Sequence, residues 1–203
     1  MIYRCFEHID DADASAFVRL FRAQVDDGQQ VLHTFRELVL GGFLASRGLR
    51  MRHNLHVDNQ TPDWCRLSAT AEPDAIVEVV NFHPPRMIER DIDTVARTGV
   101  WVGRMPPHVP RLRSCLEDKA TAYRSLAQRR GIPYVIGVFS EFTADVEPEE
   151  LDECLVHPEH GLFDAYPVVS GVIFFEERSG VYRFKYTANP RASRPVVLPE
   201  GEF

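Results

Sequence analysis

Residues 133–139, PYVIGVF, form an uninterrupted apolar run that opens on a proline and is rich in β-branched side chains. The run is too short for a typical helix, and an apolar strand without alternation is buried on both faces. A sheet with such a central strand is expected to be flanked by helices. The rest of the chain supplies those helices. Residues 13–24 put Phe17, Leu20 and Phe21 on one side of a helix. A second helical pattern over 29–46 stops at Gly48, the residue type that closes helices in a left-handed conformation. Residues 110–130 read as one long helix ended by Gly131, and residues 147–155 as another.

The strands lie between these helices. Residues 49–57, LRMRHNLHV, read as extended. TPDWCRLSA (61–69) and AIVEVVNF (75–82) flank the turn-forming AEPD and read as a β-hairpin. VSGVIFFEE and VYRFKYT form a second hairpin around Ser179–Gly180. The order α, α, β, β, β, insertion, α, β, α, β, β predicts an α/β fold with a mixed central sheet flanked by helices. At 203 residues the chain is expected to be a single domain. Within it, 83–110 is an insertion bracketed by paired prolines, with a short helix over 87–97, and 165–203 is a C-terminal hairpin and tail.

No apolar run approaches the ~18 residues that span a bilayer. The first residues, MIYRCFEHIDDADAS, lack an apolar core, so the expectation is a cytoplasmic protein without a membrane partner. Cys5, Cys65, Cys115 and Cys154 stand far apart and read as small hydrophobes of a reducing compartment. His53/His56 and His157/His160 have three-residue spacing, but a strand-like setting and Pro158 make them surface histidines on this reading. The net charge of −7 argues against strong nonspecific binding of nucleic acid. The charge is uneven, however. Residues 140–164 hold nine acids and no Lys or Arg, whereas Arg178, Arg183, Lys185, Arg191 and Arg194 follow with no acid among them. Such a run is either a solvated face or a surface for a polyanion.

Alternation along 75–82 puts Ile76, Glu78, Val80 and Phe82 on one side of the strand. Glu78 therefore interrupts an apolar face from within, and the hairpin can bring Asp63 beside it. A buried carboxylate needs a partner or a cation, and two converging carboxylates with backbone carbonyls suit Mg²⁺ or Mn²⁺. A salt bridge from Glu78 to an arginine is the structural alternative. On the long helix, Leu112, Leu116, Lys119, Tyr123 and Leu126 form a seam at steps of four and three. Lys119 sits inside that seam, where it either reaches an edge or meets an anion, and Tyr123 can share the same polar pocket. Glu37 lies on the earlier helix beside Gly41–Gly42, which permit close approach to the sheet.

Residues 29–139 resemble the PD-(D/E)xK nuclease superfamily, the restriction-endonuclease-like fold. Pro62–Asp63 match the PD element and Glu78 the (D/E) element. Glu37 matches the acid of the first core helix, and 116–139 the helix and strand that follow the motif. The family's lysine stands two residues after the acid; here that position is Val80, and Lys119 is the amine that takes its place. The resemblance implies divalent-metal-dependent hydrolysis of phosphodiester bonds, with DNA as the expected polymer and room for a homodimer. It implies that Asp63, Glu78 and the Val79 carbonyl hold Mg²⁺ or Mn²⁺, and that Lys119 orients water or stabilises transition-state charge. Glu37 would serve a second metal or its water, with Tyr123 in the same pocket, while Arg183, Lys185 and the insertion would grip the backbone. Two alternatives stand beside this expectation. One is a catalytically degenerate nuclease-fold module for binding or assembly. The other is an α/β scaffold unrelated to nucleic acid, marked by Asp63 and Glu78 on different faces.

Overall fold

The computed structural model describes residues 1–82, 108–140, 146, 148–157 and 161–203. Helices α1 (Ile2–Phe6), α2 (Asp11–Ala23) and α3 (Gly28–Ser46) precede strands β1 (Met51–His53), β2 (Trp64–Leu67) and β3 (Pro73–Phe82). Next come α4 (His108–Ala122), α5 (Arg124–Arg130) and β4 (Tyr134–Ser140), then α6 (Pro148–Val156) and α7 (Leu162–Ala165). The chain ends with β5 (Val169–Arg178), β6 (Val181–Ala188) and β7 (Gly201–Glu202). The seven strands form one sheet whose spatial order follows the sequence. β3, β4 and β5 are parallel, and antiparallel strands extend the sheet on either side.

β4 is buried at every residue, as its unbroken apolar run requires. Its even-numbered side chains, Ile136 and Val138, join Val80, Phe82, Leu112, Leu116 and Leu126 in a core under α4 to α7. Val135 and Phe139 face the opposite core with Val77, Val79 and the helices α1 to α3. The α/β class and the alternation along β3 follow the sequence. Gly41 fits under the Trp64 indole, which a Cβ at that position would overlap, and Gly42 packs on Cys5.

Several elements depart from expectation. The long helix over 110–130 is broken at Tyr123, whose backbone leaves helical geometry at φ −108°, ψ 8°. Gln60 Nε2 donates to the Ala122 carbonyl at 3.0 Å, so one carbonyl at the end of α4 is satisfied by a side chain rather than by continued helix. The segment 49–57 is strand only over Met51–His53, because Asn54 and, just beyond, Asp58 adopt positive φ, a conformation those residue types tolerate. His53 is buried, not at the surface, with its ring 4.1 Å from Phe17 and 5.0 Å from Trp64, centroid to centroid. Helices α1 and α7 and the short β7 were not legible as elements. The expected helix over 87–97 and most of the insertion lie outside the described residues.

β2 pairs with β3 only as far as Trp64 opposite Val77. Among the described residues β3 continues unpaired on this edge beyond that point, and Asp63 sits where the next rung of the ladder would be. That early end of β2 creates the site.

Candidate metal and phosphodiester site

Asp63 and Glu78 meet at the end of the β2–β3 ladder through reciprocal contacts. The Asp63 backbone N–H donates to Glu78 Oε1 at 2.9 Å, and the Val79 N–H donates to Asp63 Oδ2 at 2.7 Å. The N–H and C=O of one residue in an extended strand point to the same edge. The Val79 carbonyl is therefore directed to the Asp63 side, while the Glu78 carbonyl faces β4. From the other element, Lys119 Nζ donates to Glu78 Oε2 at 2.9 Å. The Tyr134 hydroxyl fixes the lysine's own carbonyl at 2.6 Å, and the Tyr123 hydroxyl reaches the Thr61 carbonyl at 3.0 Å. Asp63, Glu78, Val79, Lys119 and Tyr123 are thus brought together.

The electrostatics show a surplus of negative charge. Burial first, then the neighbouring Asp63 charge, push Glu78 up to about 7, although Lys119 opposes both. Asp63 is also raised, by burial and then by Glu37. Burial lowers the Lys119 amine, but Glu78 and Asp63 outweigh it and hold the group above its ordinary value. The ammonium stays charged and still leaves both carboxylates with more affinity for a proton than they have in water.

A divalent cation fits this donor set. Two desolvated carboxylates with one cationic partner, beside a strand-edge carbonyl, offer hard oxygen ligands and uncompensated charge. Among the described residues no group of three or more His, Cys, Asp or Glu side chains converges to hold a metal. An ion held by these oxygens alone would keep several of its own waters, as Mg²⁺ does.

Glu37 lies near this cluster but is committed elsewhere. Its Oε1 meets His33 Nε2 at 2.9 Å and its Oε2 meets His53 Nε2 at 3.2 Å. Burial raises this carboxyl, yet the two imidazoles outweigh it and hold Glu37 down at about 2. Its backbone carbonyl accepts from Trp64 Nε1 at 2.9 Å. His33 continues outward to Asn81, Nδ1 to Nδ2 at 2.5 Å. Sequence reasoning missed His33, His53 and Asn81, although His33 stands one helical turn before Glu37 and that spacing was visible.

Arg183 and Lys185 are not brought to the site. They lie on β6, separated from β3 by β4 and β5, roughly 14 Å across the sheet at ordinary strand spacing. Arg183 pairs with Glu202 at 3.1 Å and Lys185 with Asp152 at 2.9 Å. Arg191 likewise meets Asp164 at 2.7 Å. The basic run is answered in part by the acidic run that precedes it.

A cleft of about 630 Å³ opens beside the cluster, walled by His33 and Gln30 of α3, Val79 and Asn81 of β3, and Asp118 and Lys119 of α4. Its lining comes from helices on both faces of the sheet and from β3 between them. No helix among the described residues is long and apolar enough to cross a membrane. Comparison with protein-family models, with curated proteins and with solved structures finds no match to this chain.

Proposed function

We propose that this chain is a divalent-metal-dependent nuclease of the PD-(D/E)xK kind, acting on phosphodiester bonds and most naturally on DNA. One observation carries the reading: Lys119, arriving from a different element, places its amine 2.9 Å from Glu78 beside Asp63. Two carboxylates and an amine at a strand edge are the parts such a hydrolysis needs. Asp63, Glu78 and the Val79 carbonyl would hold Mg²⁺ or Mn²⁺, which when bound would supply Lewis-acid polarisation of a phosphodiester oxygen and a more acidic water. Lys119 orients the attacking water or stabilises the charge that develops on the phosphoryl oxygens. Tyr123, whose hydroxyl donates to the Thr61 carbonyl, stands beside the pair as a neutral phenol that burial and then Glu78 and Asp63 push further from ionising. Glu37 supports Trp64 and the two histidines rather than a second metal. A phosphate would meet Asp63 and Glu78 here, with Asp118 on the cleft wall, so a bound divalent cation would also make an anionic substrate acceptable.

The test is calorimetric titration with Mn²⁺, followed by incubation of the same protein with DNA in Mn²⁺ or in chelator. Binding that Asp63→Ala abolishes, together with metal-dependent cleavage that Lys119→Ala removes, is the expected result. Wild-type protein that binds no Mn²⁺ overturns the reading. Val80, buried in the core at the usual lysine position, favours one second reading, a degenerate binding module. Metal and DNA binding without cleavage by any preparation would select it.

A further inference from the structure

The cleft has two unlike ends. At one, Lys119 stands over Glu78 and Asp63. At the other, the first turns of α3 present Gln29 and Gln30, four and three residues before His33 and so each a neighbour of it on the helix surface. Asn81 of β3 joins them through its contact with His33. This wall carries amides and an imidazole rather than cations. The charged residues lining the cleft are Asp27, Asp118 and Lys119, so among the described residues one ammonium faces two carboxylates. A second backbone phosphate gains little there. Side-chain amides instead match the paired donors and acceptors on a nucleobase edge, and a carboxylate accepts from a base amino group. The cleft volume also lies in the range of small-molecule pockets, enough for a nucleotide unit.

The wall is held rigidly. Glu37, itself fixed by His53 and by the fully buried Trp64 beside it, orients His33, and His33 orients Asn81. Among the described residues Asn81 Oδ1 is buried without a hydrogen-bond partner. A buried acceptor left unmade costs free energy, so the contact with His33 outweighs that cost in fixing the Asn81 amide at the cleft wall.

We propose that Gln30, His33 and Asn81 form a base-binding wall that takes an unpaired nucleobase beside the phosphate held at the Lys119 end. This rests on the nuclease reading of the Asp63–Glu78 site. It adds that the substrate enters as an unstacked nucleotide, recognised through its base, and assigns Glu37 a positioning role through His33.

The test compares the common deoxynucleoside 5′-monophosphates with base-free deoxyribose 5-phosphate, by calorimetry in Mn²⁺. The base-bearing ligands should bind roughly tenfold tighter or more, the scale of one good bidentate contact. Gln30→Ala, an exposed change at the start of α3 that leaves the core untouched, and Asn81→Ala should each shrink that ratio. Lys119→Met should weaken all ligands by one common factor and leave the ratio intact. Equal affinity for base-bearing and base-free phosphates overturns the base wall while the phosphate site stands. A ratio unmoved by either wall variant overturns it too, because the base is then read elsewhere. Failure of every phosphate to bind removes the nuclease reading, and the base wall with it.

Discussion

Lys119 and Glu78, 41 residues apart in the chain, meet at 2.9 Å where the β2–β3 ladder stops. The lysine follows the fully buried Leu116 on α4, with the fully buried Leu126 past the break on α5, and its amine turns to the carboxylates. Neither partner is at ease alone. The glutamate side chain is 2% exposed, and desolvating a lone carboxylate there costs several kcal/mol.

Removing the amine should therefore strand Glu78. Lys119→Leu keeps an apolar seam residue but is expected to lose up to about 3 kcal/mol at pH 8, the cost of breaking a buried pair by taking one partner. At pH 5 Glu78 takes a proton instead, and the loss should shrink. Urea unfolding at the two pH values measures this. An equal loss at both would mean that the pair carries little charge.

Glu78 itself should give stability a downward slope with pH. Its folded value of about 7 lies above the ordinary 4.5, so between those limits the native state holds a proton that the unfolded chain has released. Stability then falls as pH rises through this window, by at most about 3 kcal/mol. Glu78→Gln should flatten the slope, read as the difference between variant and wild type from pH 4.5 to 7.5. Mn²⁺ should stabilise wild type more at pH 7.5 than at pH 5, because metal and proton compete for the same oxygens.

Periodicity made much of this arrangement legible. Alternation placed Glu78 on the α4 face of β3, and the 4, 3 stepping of Leu112, Leu116, Lys119, Tyr123 and Leu126 placed the amine on the sheet side. Both are properties of one element at a time. Features that depend on two elements meeting were hidden. The break at Tyr123 coincides with Gln60 donating to the Ala122 carbonyl, and nothing in 110–130 announces it. The burial of His53 comes from Phe17 and Trp64 closing over it, and the pairing of Lys185 with Asp152 from β6 lying beside α6. Residue composition showed a basic run but not the carboxylates that answer it.

Gly41→Ala should be strongly destabilising although glycine is a poor helix former. Alanine in mid-helix ordinarily gains up to about 1 kcal/mol, but here its Cβ would overlap the Trp64 indole. Overpacking of this kind typically costs about 1–3 kcal/mol. Because Trp64 also bonds the Glu37 carbonyl and adjoins Asp63, Mn²⁺ affinity should fall with stability. A more stable Gly41→Ala protein, seen by thermal unfolding, would refute the close contact.

Glu37→Gln tests whether this carboxylate acts through its histidines. Glutamate offers an acceptor to each imidazole, whereas glutamine offers one acceptor and a donor group. One ring therefore loses its acceptor, at a cost of about 1–3 kcal/mol for a buried donor left unmade. His53 is the less forgiving partner, since its Nδ1 is already buried without a partner among the described residues. The acid limb supplies the sharper measurement. Glu37 is held at about 2 against an ordinary 4.5, so its contribution is fully present above pH 4.5 and is lost as pH falls through about 2. That contribution is at most about 3 kcal/mol, and its pH window is separate from that of Glu78. Glu37→Gln should be less stable than wild type at pH 7 and should approach it as pH drops from 4.5 toward 2. Urea unfolding along that range reads the convergence. If the gap between the two proteins is constant with pH, the imidazoles do not hold Glu37 ionised, and the chain from His53 through Glu37 to His33 and Asn81 is not a charged clamp.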